Sequence, residues 1–117
     1  MLPKRGDVIL VLYPDSNLRT AKRRPALVIQ ADDLGTGLPQ TIVAMITSNM
    51  ARAGHPCRHS ILRSSTHGRQ MGLRTDSVVM TDNLATVFGS EIDHIIGRCE
   101  NMDVIDTALR HTLGLGD

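Results

Sequence analysis

Lys22-Arg23-Arg24-Pro25-Ala26-Leu27-Val28-Ile29 sets three consecutive cations and a proline directly before an apolar run rich in β-formers. Proline fixes its own φ and pushes the preceding residue into an extended conformation, so a strand is predicted from about Ala26, with Arg24 at its mouth. A guanidinium held there is a planar, five-donor fork on a rigid element, the arrangement that suits phosphate recognition. The other reading of the same residues is a solvated charge cluster that closes a loop.

Upstream, Val8 to Leu12 follows Gly6-Asp7 as an unbroken apolar run, which predicts a strand buried on both faces or crossing a small barrel. Tyr13-Pro14-Asp15-Ser16-Asn17 ends it with turn formers, and the polar residues through Arg23 read as a long loop. Downstream, Ala26 to Gln30 ends at Asp32-Asp33, and Gly35-Thr36-Gly37-Leu38-Pro39 predicts a hairpin-like return. Thr41 to Ile46 is the third strand and delivers Thr47-Ser48-Asn49 to its carboxyl end. Residues 50 to 58 lose periodicity and read as a second long loop with room for one helical turn. A short strand follows around Ser60 to Leu62, and Gly68 and Gly72 break the chain. Asp76 to Met80 and Ala85 to Val87 read as two further strands, and Glu91 to Ile96 as a last short strand or a single turn. The one clear helix begins after Asn101, carries Met102, Ile105, Leu109 and Thr112 on one stripe, and stops at Gly114. Several short strands and one terminal helix predict a mostly-β, β-rich α+β fold: a small barrel or curled sheet with the helix over it.

The chain of 117 residues reads as one domain, 1–117, long enough to bury roughly two thirds of its unfolded surface without staples. Cys57 and Cys99 are too few for a disulfide framework, and neither a leader nor an apolar run long enough to span a membrane is evident, so a cytoplasmic protein with reduced thiols is expected. The formal net charge is only +1, which gives no whole-molecule field for nucleic acid. Lys4 and Lys22 are the only lysines and the other cations are arginines, a bias that fits bidentate phosphate contacts and equally a GC-rich coding sequence. Tyr13 and Phe88 are the only aromatics, which argues against a base-stacking platform of the RRM or single-strand-binding kind.

His55-Pro56-Cys57-Arg58-His59 places three metal-ligand types at alternate positions, but a strand would space them about 6.5 Å apart, too far to share one zinc. His67, His94 and His111 are scattered, and no pair of histidines makes a general acid and base. The chain contains no phosphate-binding loop, Rossmann fingerprint, nucleophile elbow or zinc-protease motif, so nucleotide cofactor chemistry is not expected.

Five fragments in order then acquire a joint meaning: Arg5-Gly6-Asp7-Val8; Arg24-Pro25-Ala26-Leu27-Val28; Ile46-Thr47-Ser48; Asp76-Ser77-Val78-Val79 with Asp82; and Ile96-Gly97-Arg98 leading to the helix of Ala108-Leu109-Arg110. In order and spacing, over essentially the whole chain, they resemble the MazF/PemK family. The resemblance implies an SH3-like barrel of the CcdB/PemK kind and a homodimer without metal or other cofactor. It also implies the toxin of a type II toxin-antitoxin pair, a sequence-selective endoribonuclease whose partners are single-stranded mRNA and a cognate antitoxin. Carried over, the family's catalytic positions fall on Arg24 and Thr47, and Arg19, Lys22, Arg23, Ser48 and Asp82 become candidate RNA contacts. Cleavage by the ribose 2′-hydroxyl, leaving a cyclic phosphate and a 5′-hydroxyl, needs charge stabilisation and alignment that Arg24 and Thr47 are suited to supply.

Three departures from the family pattern stand out. The first long loop, Asp15 to Ala21, has no histidine or glutamate, Met80 stands where one branch has an arginine two residues before Asp82, and the turn before the last helix is short. The reading of another class is a barrel of the same ancestry that only binds, whether an antitoxin-like peptide, nucleic acid or a gyrase-like target.

Overall fold

The computed structural model describes residues 2–14 and 17–116. Its strands are β1 (Asp7–Pro14), β2 (Ala21–Val28), β3 (Gln40–Thr47), β4 (Arg58–Ile61), β5 (Ser77–Phe88) and β6 (Ile92–Arg98), with helices α1 (Thr66–Gln70) and α2 (Met102–Leu113). The strands form one sheet in the order β4-β5-β3-β2-β1-β6, and every neighbouring pair is antiparallel.

Strand alternation divides the apolar residues between two cores. Val8, Leu27, Ala44, Ile46, Ile61 and Val79 face one side, where Ile105 of α2 and Met71 and Leu73 after α1 cover them. Ile9, Val11, Ala26, Val28, Val43, Met45 and Val87 face the other, packed with Tyr13, Met80, Ala85 and Ile92. Among the described residues no helix contributes to that second core, which the strands of the curled sheet bury between themselves. This explains most of the unbroken apolar run in β1: Val8 is buried on one face and Ile9 and Val11 on the other, while Leu12 at its end is exposed.

Three expectations are corrected. First, β2 begins at Ala21 rather than Ala26, so Lys22, Arg23 and Arg24 are strand residues, with Arg24 well inside the strand. β1 extends to Pro14 and pairs with all of them, Tyr13 with Lys22 and Val11 with Arg24, while their side chains stay exposed. A solvated strand of this kind leaves no apolar signature. Pro25 is tolerated because pairing with β3 starts only at Ala26, which gives it an edge-like setting. Second, residues 77–88 are one strand, not two. The register jumps from Ala44 opposite Leu84 to Met45 opposite Met80, which leaves Thr81-Asp82-Asn83 as a bulge. Thr81 secures it, donating from both N (3.1 Å) and Oγ1 (2.6 Å) to the Cys57 carbonyl. Third, the segment broken by Gly68 and Gly72 contains α1, capped by Ser65 Oγ accepting from Gly68 N at 3.0 Å. Gly68 is glycine because a Cβ would meet the Leu62 carbonyl oxygen at 2.2 Å.

The Glu91 to Ile96 segment resolves as strand β6, preceded by a 3₁₀ turn at Gly89–Glu91. The 3₁₀ turn at Met50–Arg52 is the helical turn expected in the second long loop. Asn101 holds the N-cap position of α2 without a side-chain cap bond, and Gly114 ends the helix at φ +68°. The turn formers Asp15 and Ser16 lie outside the described residues.

One backbone contact places the chain that follows α1. A Cβ on Gly97 of β6 would come within 2.3 Å of the Met71 carbonyl carbon, and one on Gly72 within 2.1 Å of the Ile96 carbonyl oxygen. Only two glycines allow this approach, and it sets residues 72–75 beside β6. Gly97→Ala is therefore expected to destabilise by about 1–3 kcal/mol or more, since backbone cannot move aside as a side chain would. Gly116→Ala, with open space around it, should leave a urea melt unchanged, and equal midpoints for the two variants would contradict this packing.

Candidate active site

The ladder between β2 and β3 pairs Val28 with Val43, Leu27 with Ala44 and Ala26 with Met45, and ends there. Continued, the same register would set Arg24 opposite Thr47. Instead the strands diverge: β2 stays with β1, Arg24 against Val11, and β3 stays with β5, Thr47 against Val78. The fork opens into two hollows that share Arg24, Ile46 and Thr47 as a common ridge. The first, ≈ 810 Å³, is lined by Arg23, Ser48, Arg74, Ser77 and His94 among others. The second, ≈ 890 Å³, includes Tyr13, Thr20, Lys22, Arg52 and Asn83.

Charge is sorted sharply at this groove. Among the described residues, its lining carries Lys22, Arg23, Arg24, Arg52 and Arg74 and no aspartate or glutamate. In a chain of net charge +1, that concentrates positive potential on one face, where clefts focus the field.

Thr47 is oriented by its own turn: Asn49 N donates to Thr47 Oγ1 at 3.1 Å, which leaves the hydroxyl hydrogen to be donated elsewhere. Asn49 Oδ1 in turn accepts from Ala51 N at 3.1 Å and caps the Met50–Arg52 turn. At the first hollow, Arg23 Nε lies 3.2 Å from Asp93 Oδ1, and His94 Nδ1 lies 2.7 Å from Asp93 Oδ2. The His94 hydrogen bond, with support from Arg23, holds the Asp93 carboxyl below its ordinary value.

The candidates named from sequence divide accordingly. Arg24, Thr47, Lys22, Arg23 and Ser48 meet at the groove. Arg19 lines neither hollow, and its backbone N donates to Asn17 Oδ1 at 2.9 Å in the turn before β2. Asp82 also lies outside both linings. Arg58 grips it through Nη2 at 2.8 Å and Nε at 3.3 Å, and that bond is the main cause of its lowered pKa. Sequence reasoning missed Arg74, Ser77 and His94, which the glycine contact between α1 and β6 brings to the first hollow, and Arg52 and Asn83, carried by the 3₁₀ turn and the bulge. Gly72 and Gly97 were the available signal for the first group.

In the histidine- and cysteine-bearing segment, Cys57 Sγ lies 2.8 Å from His55 Nδ1, a thiol–imidazole hydrogen bond. His59 is half-buried, and burial together with nearby His67 pushes its pKa down. Among the described residues no three His, Cys, Asp or Glu side chains are grouped to hold a metal.

Comparison with known proteins agrees over the whole chain. Residues 4–113 match the family model described as PemK-like, MazF-like toxin of type II toxin-antitoxin system. Endoribonuclease EndoA of Bacillus subtilis is 32% identical over 120 residues, covering 100% of this chain and 99% of that protein. Endoribonuclease MazF6 of Mycobacterium tuberculosis is 35% identical over 107 residues, covering 89% and 90%. Among solved structures, a mycobacterial endoribonuclease in complex with its cognate antitoxin superposes with a TM-score of 0.74 at 23% identity, covering 99% of each chain.

The Asp93 cluster generates a pH prediction. A carboxylate whose folded pKa lies below the unfolded value, ordinarily 3.8, contributes stability that is complete above about pH 5 and is lost as pH falls through the folded value. Asp93→Asn should therefore lose less stability than the parent between about pH 5 and about pH 2. Urea midpoints across that range check it, and parallel curves would contradict the assignment.

Proposed function

Because the chain belongs to the family of PemK-like, MazF-like toxins of type II toxin-antitoxin systems, we propose that it is an endoribonuclease that cuts single-stranded mRNA at the Arg24–Thr47 ridge. The observation that carries this reading is the groove itself, with five cations, no carboxylate among its described lining and the two candidate catalytic side chains at its waist.

In the reaction, the ribose 2′-oxygen forms a bond to the adjacent phosphorus, loses its proton, and the bond from phosphorus to the 5′-oxygen breaks. The products are a 2′,3′-cyclic phosphate and a 5′-hydroxyl that gains a proton. Arg24 faces the phosphorane oxygens, where a preorganised guanidinium stabilises developing charge. At its usual pKa an arginine is a poor proton donor, so its role is electrostatic. Thr47, its hydroxyl oriented by Asn49 N, aligns the attacking ribose. Lys22, Arg23, Arg52 and Arg74 hold flanking phosphates, and the two hollows receive the nucleotides on either side of the cut. The chain's own residues supply these roles without a metal.

The partners follow from the same surface. An acidic, largely disordered antitoxin tail presents a line of negative charge like that of RNA, so one groove accepts either and the tail inhibits by occupancy. Strand β6 is a sheet edge, and Ile95 on it and Leu12 beside it are both 52% exposed. That supports a homodimer formed along this edge. No helix among the described residues is long and apolar enough to cross a membrane, and action on mRNA assigns the protein to the cytoplasm.

Arg24→Ala and Thr47→Ala are each expected to lower the cleavage rate roughly 10²- to 10⁴-fold. The melting temperature of Arg24→Ala should move little, because that side chain is exposed, whereas Thr47→Ala, half-buried and losing the bond from Asn49 N, should cost about 1 kcal/mol. An RNA carrying deoxyribose on the 5′ side of the cut should bind and resist cleavage. Near-normal turnover by Arg24→Ala, or efficient cutting of the deoxy substrate, would overturn the mechanism.

A further inference from the structure

We infer that Arg58 and Asp82, both outside the groove, are positioning residues that set Arg52 as a phosphate contact in the second hollow. The inference rests on the reading of the groove as the RNA site.

Arg52 ends the 3₁₀ turn Met50–Arg52, which contains no buried residue. Packing alone holds this turn weakly, since Met50 is only partly covered, and polar contacts fix both of its ends. At its start, Asn49 Oδ1 accepts from Ala51 N. At its end, Arg58 Nη1 donates to the Arg52 carbonyl at 3.2 Å. The other face of the same guanidinium is committed: Nε and Nη2 lie 3.3 and 2.8 Å from the two oxygens of Asp82. One planar fork thus ties the turn to the β5 bulge, a geometry that lysine cannot reproduce.

The bulge is a firm anchor. Thr81, fully buried, donates twice to the Cys57 carbonyl, and its Oγ1 lies 2.7 Å from Thr112 Oγ1 on α2. Asn83, on the far side of Asp82, lines the same hollow as Arg52. Three consecutive residues thus serve core, clamp and groove, and the clamp fixes the spacing between Arg52 and the wall opposite. An exposed arginine whose backbone is already immobilised loses less freedom when it takes a phosphate than one on a loose turn.

The test is a double-mutant cycle on Asp82→Asn and Arg52→Ala, read as kcat and KM on a single-site RNA and as the affinity of a 2′-deoxy-substituted, uncleavable oligonucleotide at several salt concentrations. Arg52→Ala should raise KM and lower the salt slope of binding by about 0.7, the value for one phosphate contact on a single strand. Asp82→Asn should raise KM roughly three- to tenfold with kcat little changed. In the Arg52→Ala background it should add nothing, since a residue acting through Arg52 has nothing left to position. Arg58→Lys keeps the charge but not the fork and should repeat both results, which covers the case that Asp82→Asn does not fold. A full additive effect of Asp82→Asn or Arg58→Lys on top of Arg52→Ala would overturn the inference. So would an Arg52→Ala variant with unchanged KM and salt slope, and either result would leave the cleavage reading intact. A wild-type protein that neither cuts nor binds RNA would overturn both.

Discussion

The structure depends on the early end of one ladder. Between β2 and β3 the hydrogen-bonded pairing stops at Ala26 and Met45, and the next residue of β2 is Pro25, which has no N–H to offer. Beyond that point each strand keeps its other neighbour. Backbone groups therefore remain largely paired while the two strands separate, and a fork opens at little cost in unsatisfied hydrogen bonds. Arg24 and Thr47 stand on its two arms, on strands instead of loops, and line both hollows, a rigidity that the proposed phosphate chemistry would use. The remaining architecture fixes the two arms. The curled second core holds β2 to β1, and the bulge at Thr81–Asn83 holds the start of β5, and hence the end of β3, against the loop before β4.

Arginine distribution is the second organising feature. Several arginines are locked into carboxylate pairs away from the fork: Arg5 with Asp106, Arg98 with Asp7 at 3.0 Å, and Arg58 with Asp82. Others line the groove, which no described carboxylate enters. Arg23 does both, standing in the lining while bridging to Asp93. A near-neutral total is thus compatible with a strongly cationic face, because the described acids lie outside the groove lining and three of them hold arginines elsewhere. Partly exposed pairs of this type add little to stability, and their weight here is geometric: they decide where the remaining positive charge points.

How far the sequence revealed this depended on the kind of signal. Apolar β-branched runs exposed β1, β3 and the core half of β2, and the cap-to-glycine span exposed α2, because burial and helix periodicity both write themselves into composition. Arg24 and Thr47 were singled out from the family-like motifs that carry them, and only Thr47 lies at a strand end; Arg24 lies inside β2. The polar half of β2 was not: Ala21 to Arg24 pair through their backbone alone, and a solvated strand looks like a loop. The bulge in β5 looked like a chain break for a similar reason, since Thr81, Asp82 and Asn83 are polar for three different purposes. Arg52, Arg74 and His94 join the groove through contacts distant in sequence, the clamp in one case and the approach of Gly72 and Gly97 in the others. The pairing of Asp82 with Arg58, outside both hollows, was not legible, because a carboxylate beside a cationic site is ambiguous until its partner is seen.

The most direct measurement is the chemistry of the cut ends. Purified protein would be incubated with a long RNA in the presence of EDTA, and the 5′ termini mapped and tested for phosphate. The account predicts cleavage at a limited set of sequences, with every new 5′ end a hydroxyl and every new 3′ end a cyclic phosphate. New ends that carry a 5′-phosphate, or cleavage that EDTA abolishes, would contradict attack by the 2′-hydroxyl at the Arg24–Thr47 fork.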